Sequence, residues 1–359
     1  MARIIIADST NRYDGRSFEI RPLGGTESSV CHMAEELARR GHEVVCYTNC
    51  DGPIEHKGVA WRPLDGPRPS RADVYVAVQH PPLLSFARAP RRRVLWMMWK
   101  PNHLKHYGML ARIWRYRPRT IFISKHQCSL YEGYRSTVLR RLAFPRLDGQ
   151  VVDLGLPETV RNRTPLETPP PPRAIFASNP SRNLRWLIEL WDRAILPQVP
   201  GAELHIYGIR DAQWVYGQTG VSPIEHHLPP GLSAAGRASL KPQPIATREM
   251  LWEAMRSSRA MLYGGHHSEM FCLSVAEAQA LGTPAVIRPV AVLPERVRDG
   301  ETGFIRADDQ GFAEAAVRLL TDESLWRRQH LAALRLQQGR DWADCAAEFE
   351  RALLRPSHA

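Results

Sequence analysis

The stretch Gly264-Gly265-His266-His267-Ser268-Glu269-Met270-Phe271-Cys272-Leu273-Ser274-Val275-Ala276-Glu277-Ala278 combines a glycine turn, two carboxylates and the start of an apolar helix. The first turn of a helix carries N–H groups without intrahelical acceptors and the positive end of the peptide dipoles, so it attracts anions. Met270, Phe271 and Cys272 stand where backbone N–H groups could be aimed at a diphosphate. Glu277, one turn into the helix, could accept hydrogen bonds from two ribose hydroxyls. A second role fits equally well, because Ser274-Val-Ala-Glu277 has capping-box spacing, in which the glutamate serves its own helix. Glu269 has no such local role. It is either a site carboxylate or a solvated loop acid.

Such a loop needs a strand before it and a helix after it. The apolar run Ala260–Tyr263 predicts the strand, 273–281 the helix and Ala285–Ile287 the next strand. Upstream, Ala174–Ala177 reads as a strand and 183–196 as a helix. Ala202–Gly208 reads as a strand, 209–245 as irregular, and 247–257 as a helix. Helices are expected after 287. The same plan occurs at the N-terminus. Arg3–Ala7 predicts a buried strand, a loop follows to Leu23, and Gly24-Gly25-Thr26-Glu27 opens a helix to about Arg40. Gly41 caps that helix, and Val44–Thr48 is the next strand. Val74–Val78, Val94–Met98 and Thr120–Ile123 are further strands, with a helix at 104–117. Pro169–Pro172 reads as a stiff linker. The expected organisation is two Rossmann-like α/β domains, 1–165 and 166–340.

A chain of 359 residues accommodates two such domains. The apolar fraction of 43% and charged fraction of 24% are those of a folded protein, not a disordered one. No run of about 18 apolar residues is present, and the N-terminal run is too short for a signal peptide, so a cytoplasmic location is expected. The six cysteines form no C-x-x-C pair, which gives no zinc site and fits reduced structural thiols. The net charge of +11 is concentrated in residues 1–165, with 27 Lys and Arg against 15 Asp and Glu. Residues 88–146 hold 15 basic residues and one acid, Glu132. Such a field either faces an anionic partner or only keeps the protein soluble. The stripe Leu104, Tyr107, Leu110, Ala111 and Trp114, with Lys105, Arg112, Arg115 and Arg117 beside it, suits either an interfacial helix or one packed on its own sheet.

The 19 residues from Ser268 to Val286 resemble the signature of retaining GT-B glycosyltransferases of family 4: Glu, seven residues, Glu, then Ala and Gly-x-Pro. Other segments agree in order. Gly24-Gly25-Thr26-Glu27 with Gly41-His42 resembles the family's first glycine loop, and Ser178-Asn-Pro-Ser-Arg182-Asn the loop that carries a basic residue. Pro294-Glu295 to Gly303 resembles the turn after the Gly-x-Pro strand. Trp342 resembles the start of a segment that crosses back to the first domain. The resemblance implies a GT-B architecture in which two parallel sheets face a central cleft. An N-terminal domain would bind the acceptor, a C-terminal domain the nucleotide sugar, and helix 341–359 would return to the first domain. It implies that Glu269 faces the donor sugar, Glu277 holds the ribose, and Arg182 neutralises the diphosphate. Gly24, Gly25, Met270, Phe271 and Cys272 would approach the donor through their backbone. No metal and no cofactor are implied, since Arg182 and helix N–H groups meet the leaving charge. The acceptor class implied is a lipid-linked or phosphorylated glycan, with an anionic membrane surface as a further partner and no nucleic acid.

The chain departs from the family at two places. Trp96-Met97-Met98-Trp99-Lys100-Pro-Asn-His103 stands where many members have His-Asp, which leaves His103 or His80 as the substitute. Ala177 stands where a second basic residue often lies. Alternatives are a sugar-nucleotide 2-epimerase or a phosphorylase of the same fold; an epimerase would convert donor without acceptor. A basic nucleic-acid binder is another, though no reader motif is present. A dehydrogenase fits least, because Gly24-Gly25 is not G-x-G-x-x-G directly after its strand.

Overall fold

Apolar runs of four to eight residues, separated by amphipathic ones, assemble as two parallel sheets with helices packed around each. The computed structural model describes residues 1–21, 23–135, 140–141, 144, 147–208, 224–244 and 246–354, and of residue 103 the backbone alone. The chain forms two units, Met1–Gly155 with Arg340–Ala359, and Leu156–Gly339.

Unit 1 contains β1 (Arg3–Ala7), α1 (Ser17–Ile20), α2 (Gly25–Arg39), β2 (Glu43–Thr48), β3 (Ile54–His56), β4 (Val59–Pro63), β5 (Arg71–Val78), β6 (Ala89–Met97), α3 (Tyr107–Tyr116), β7 (Arg119–Phe122), α4 (Lys125–Tyr134) and β8 (Asp148–Val151). The strand order is β3-β4-β2-β1-β5-β6-β7-β8. Only the β3–β4 pair is antiparallel. Ile4, Ile5 and Ile6 are all fully buried, as a central parallel strand covered on both faces requires.

Unit 2 contains β9 (Arg173–Ala177), α5 (Leu184–Leu190), β10 (Glu203–Tyr207), α6 (Ala234–Ser239), β11 (Leu240–Pro242), α7 (Arg248–Arg256), β12 (Ala260–Tyr263), α8 (Leu273–Ala280), β13 (Ala285–Ile287), β14 (Gly303–Ile305), α9 (Asp309–Thr321) and α10 (Glu323–Leu336). Its sheet is parallel throughout, in the order β11-β10-β9-β12-β13-β14. Counted from its own first strand, this is 3-2-1-4-5-6. With β3 set aside, the strands of unit 1 follow the same order and add a seventh, β8. In such doubly wound sheets the chain reverses its winding between strands 1 and 4, which opens a crevice at their carboxyl ends. The two reversal points are β1/β5 and β9/β12.

The last helix, α11 (Trp342–Leu354), packs within unit 1. Trp342 stacks on His32 at 5.2 Å, Phe349 meets Trp96 at 4.8 Å, and Arg40 pairs with Glu350 at 2.7 Å. A Cβ on Gly155 would lie 2.6 Å from the Trp342 Cα, so glycine permits the close approach at the start of this helix.

Several expectations need correction. The units divide at Gly155/Leu156 rather than at 165/166, because 156–166 is fastened to unit 2. Arg161 donates to the Gln338 carbonyl at 3.2 Å, and the Leu166 N–H to His330 Nε2 at 2.9 Å. The prolines therefore lie inside unit 2 and are not a linker. The helix expected at 104–117 is a tight turn, Pro101–Lys105, followed by α3, which stops where Arg117 adopts φ 40°. Its apolar stripe also splits: Leu104, Leu110 and Ile113 are buried, while Tyr107, Ala111 and Trp114 face out. The helix expected at 183–196 changes to a π-type turn at Trp191 and a tight turn at Leu196, before Pro197. The segment 209–245 contains α6 and β11, and the region after 287 contains β14. Residues 209–223 lie outside the described residues.

Gly208 sits at φ 97°, and a Cβ there would lie 2.1 Å from the Ser178 carbonyl oxygen. It lets the end of β10 press against the loop that follows β9. Gly208→Ala should lower stability by about 2 kcal/mol in urea unfolding. A change below about 0.5 kcal/mol would show that this contact does not hold the loop.

Candidate functional site

The reversal point of the second sheet brings together the loops after β9 and β12. The first, Ser178–Asn183, is shaped by Asn179, whose Oδ1 accepts from the Ser181 N–H at 2.9 Å and its hydroxyl at 2.8 Å. Asn183 then adopts φ 65° and donates its side-chain N–H to the Gly265 carbonyl at 2.6 Å. That bond ties the two loops together. Gly264 is required there, since a Cβ would meet the Trp186 ring at 2.5 Å.

Glu269 is not a solvated loop acid. Only 3% of it is exposed. Its Oε1 accepts from Arg182 Nη1 at 2.5 Å and from the Tyr263 hydroxyl, which itself lies 3.2 Å from Ser178 Oγ. Burial, then the neighbouring Cys272 and Glu269, push the Tyr263 hydroxyl well above its usual range, so it remains a donor. Arg182 keeps over a third of its side chain in solvent. One end of the cation is therefore available to an incoming anion.

Glu277 is 1% exposed, and the capping-box reading fails. The residue flanking α8 is Cys272, at φ 63°, and Ser274 lies inside the helix. The Glu277 carboxylate instead pairs with Arg248 of α7, Oε1 to Nη2 at 2.5 Å. The Trp252 indole N–H faces it, outside hydrogen-bond geometry. Oε2 has no hydrogen-bond partner among the described residues. Burial raises the Glu277 pKa, and Arg248 opposes that rise. A buried carboxylate oxygen without a donor costs about 1–3 kcal/mol or more, so such an atom points to a missing ligand.

Met270, Phe271 and Cys272 form the turn into α8, all nearly buried. No side chain among the described residues caps the N-terminus of α8. The unusual backbone at Cys272 aims this uncapped turn, and burial keeps its thiol protonated. The structure thus brings Arg182 to Glu269, with Tyr263 and Ser178 beside them, and Arg248 to Glu277, with Trp252 beside it. Gly24 and Gly25 stand in unit 1, at the start of α2. There a Cβ on Gly24 would strike the Glu27 carboxylate, so Gly24 makes room for a side chain of its own helix. His103 lies in the turn Pro101–Lys105, and its side chain is outside the described residues.

Residues 171–322 match the family described as Glycosyl transferases group 1. The match covers less than half of the chain. The matched segment contains Arg182, Arg248, Glu269 and Glu277. Curated relatives include D-inositol 3-phosphate glycosyltransferases. That of Corynebacterium diphtheriae is 37% identical over 86 residues, which is 23% of this chain and 20% of that protein. That of Nocardia farcinica is 37% identical over 109 residues, 30% of this chain and 23% of that protein. The chain matches about a fifth of the length of these curated relatives. Among solved structures, sucrose-phosphate synthase from Thermosynechococcus elongatus superposes with TM-score 0.70 at 16% identity, covering 97% of this chain and 98% of that one. Anabaena Alr3699/HepE in complex with UDP-glucose superposes with TM-score 0.68 at 12% identity, covering 98% and 99%. At those identities the likeness is one of fold, and the fold is GT-B: two α/β units with parallel sheets.

Arg248→Met would leave Glu277 buried without a cation and should cost about 3 kcal/mol of stability near neutral pH. Loss of the cation raises the Glu277 pKa further. A group whose folded pKa lies above its unfolded value contributes stability below the unfolded value and loses it as pH rises through the folded one. The deficit should therefore shrink as the pH of a urea titration is lowered. It should also shrink in the double variant with Glu277→Gln. A constant deficit across pH would rule out a charged Glu277.

Proposed function

We propose that the protein is a retaining, metal-independent glycosyltransferase that moves a sugar from a nucleoside-diphosphate sugar to an acceptor. The observation that carries this reading is the orphaned oxygen of buried Glu277 beside the uncapped start of α8 and the half-exposed Arg182. A ribose hydroxyl fits Glu277 Oε2. A diphosphate fits the N–H groups of the α8 turn, with Arg182 swinging from Glu269 to meet it. Glu269, freed from Arg182, then faces the donor sugar. Unit 2 would hold the donor and unit 1 the acceptor. In the step proposed, the anomeric C–O bond to the diphosphate breaks and the acceptor oxygen bonds to the same carbon on the same face. The acceptor's proton passes to the departing phosphate oxygen. No carboxylate of the chain serves as nucleophile, and the leaving charge is met by Arg182 and the helix N–H groups. The relatives named for D-inositol 3-phosphate support a phosphorylated acceptor. The UDP-glucose complex of HepE supports a sugar nucleotide as donor.

Calorimetric titration with UDP, GDP, ADP, CMP and dTDP, with and without Mg²⁺, tests the reading. One nucleoside diphosphate should bind in excess EDTA, and Arg182→Ala should weaken it by about tenfold with the fold preserved. Binding that needs Mg²⁺, or no binding of any, would sink it.

A membrane-facing acceptor, reached from the cytoplasmic side, is the second part of the proposal. Tyr107 is 89% exposed and Trp114 43%, on one side of α3 with Ala111, and Arg112 and Arg115 flank them. Aromatic and basic residues on one exposed helix face suit the surface of an anionic bilayer. No helix among the described residues is long and apolar enough to cross one. Each basic residue near such a surface contributes about 1 kcal/mol. The protein should sediment with anionic but not neutral liposomes, less so in high salt. Replacing Lys105, Arg112 and Arg115 with Gln should reduce this without changing nucleotide affinity. Indifference to anionic vesicles at low salt would leave a soluble acceptor.

A further inference from the structure

Unit 1 has its own reversal point, between β1 and β5, and the aromatic residue Trp99 is tied to the elements that follow both strands. Trp99 lies two residues beyond the end of β6 and is 42% exposed. An exposed indole is ordinarily free to turn, but this one is held on three sides. Its Nε1–H donates to Thr26 Oγ1, in the first turn of α2, at 3.0 Å. Its backbone N–H donates to Gln79 Oε1 at 2.8 Å, and its carbonyl accepts from Gln127 Nε2 at 2.9 Å. Gln79 follows β5, is fully buried, and adopts φ 60°. The same Oε1 also accepts from the Met98 N–H at 2.8 Å. His80, the next residue, sets its ring perpendicular to the indole at 5.4 Å.

Two of the elements that clamp Trp99 define the crevice: α2 follows β1, and Gln79 and His80 follow β5, while Gln127 comes from α4. Three buried polar side chains, Thr26, Gln79 and Gln127, hold an indole residue that stays 42% exposed. A rigid aromatic face ringed by hydrogen-bonding side chains, at the place where doubly wound sheets bind ligands, is suited to a ligand with one apolar face and a polar edge. A pyranose ring has that character: its axial C–H groups form a face that lies against an indole, and its hydroxyls reach the rim. We propose that Trp99 is the platform on which the sugar ring of the acceptor stacks, and that it selects acceptors by the face they present. The proposal rests on the glycosyltransferase reading and names a substrate-selecting residue outside the segment that matches the family.

The indole N–H signals of ¹⁵N-labelled full-length protein provide the test, with the Trp99 signal identified by its loss in Trp99→Leu. Methyl α-glucoside, α-mannoside, α-galactoside and α-N-acetylglucosaminide are the probes, and glycerol is the control for a polyol without a ring face. At least one pyranoside should shift the Trp99 signal saturably, and glycerol should not. In calorimetric titration with the same pyranoside, Trp99→Phe, which keeps an aromatic face but loses the bond to Thr26, should weaken binding severalfold, and Trp99→Leu by at least about tenfold. UDP, GDP and ADP titrations on the same samples separate the two levels of the argument, and the other indole signals report that the variants fold. If a nucleotide binds and no pyranoside moves Trp99, or glycerol moves it equally, the platform is wrong and the enzyme reading stands. If neither nucleotides nor pyranosides bind, both fall.

Discussion

Carboxylates at the carboxyl end of the second sheet have almost no access to water, and removing a charge from water costs several kcal/mol unless a cation or donors replace the solvent. That requirement organises the site. Glu269 is matched by Arg182 and Tyr263, and Glu277 by Arg248. Each cation comes from a different element, so the loops after β9 and β12 and the helix α7 must stay in register for both pairs to form. The matching is incomplete in one respect: Glu277 keeps an oxygen with no donor among the described residues. A fold that needed only stability would gain by replacing that acid with an apolar side chain. Its retention is what a ligand with hydroxyl donors would explain.

The two units share a sheet order but furnish their reversal points differently. In unit 2 the crevice is lined by charge and by an uncapped helix turn, which suits an anion. In unit 1 it holds an aromatic ring clamped by neutral polar groups. The large positive charge of unit 1 contributes less to that crevice than its magnitude suggests. Arg92 and Arg119 donate to the carbonyls of Leu353 and Ala352, at the end of α11, and Arg93 donates to those of Leu84, Ala87 and Arg88. These arginines satisfy backbone oxygens. On the outer side of α3, Arg112 and Arg115 stay exposed.

The sequence reveals the site where chemistry and chain order coincide. The strand–loop–helix from Ala260 to Ala280 was legible because its apolar strand, glycine turn and two acids lie within about twenty residues. Arg248 was not, because it reaches Glu277 from a separate helix and belongs to no local pattern. Tyr263 reads as one more apolar strand residue until its hydroxyl is seen against Glu269. The capping box was a false lead, since α8 starts one residue before Ser274 and is flanked by Cys272, whose positive φ no spacing rule anticipates. Pro169–Pro172 resembles a linker by composition, yet hydrogen bonds from 161 and 166 to the end of α10 and beyond it assign the neighbouring chain to unit 2. Short strands such as β11 and β14 escape periodicity because three residues are too few to show one.

Amide hydrogen exchange of the full chain, with and without a saturating nucleoside diphosphate, reads the central claim most directly, because a ligand that fastens the loops after β9 and β12 must slow their opening. The account predicts slowed exchange in 178–184 and 265–275, with Arg248 and its turn of α7 following through Glu277. Binding that leaves those amides unchanged and protects only unit 1 would contradict it.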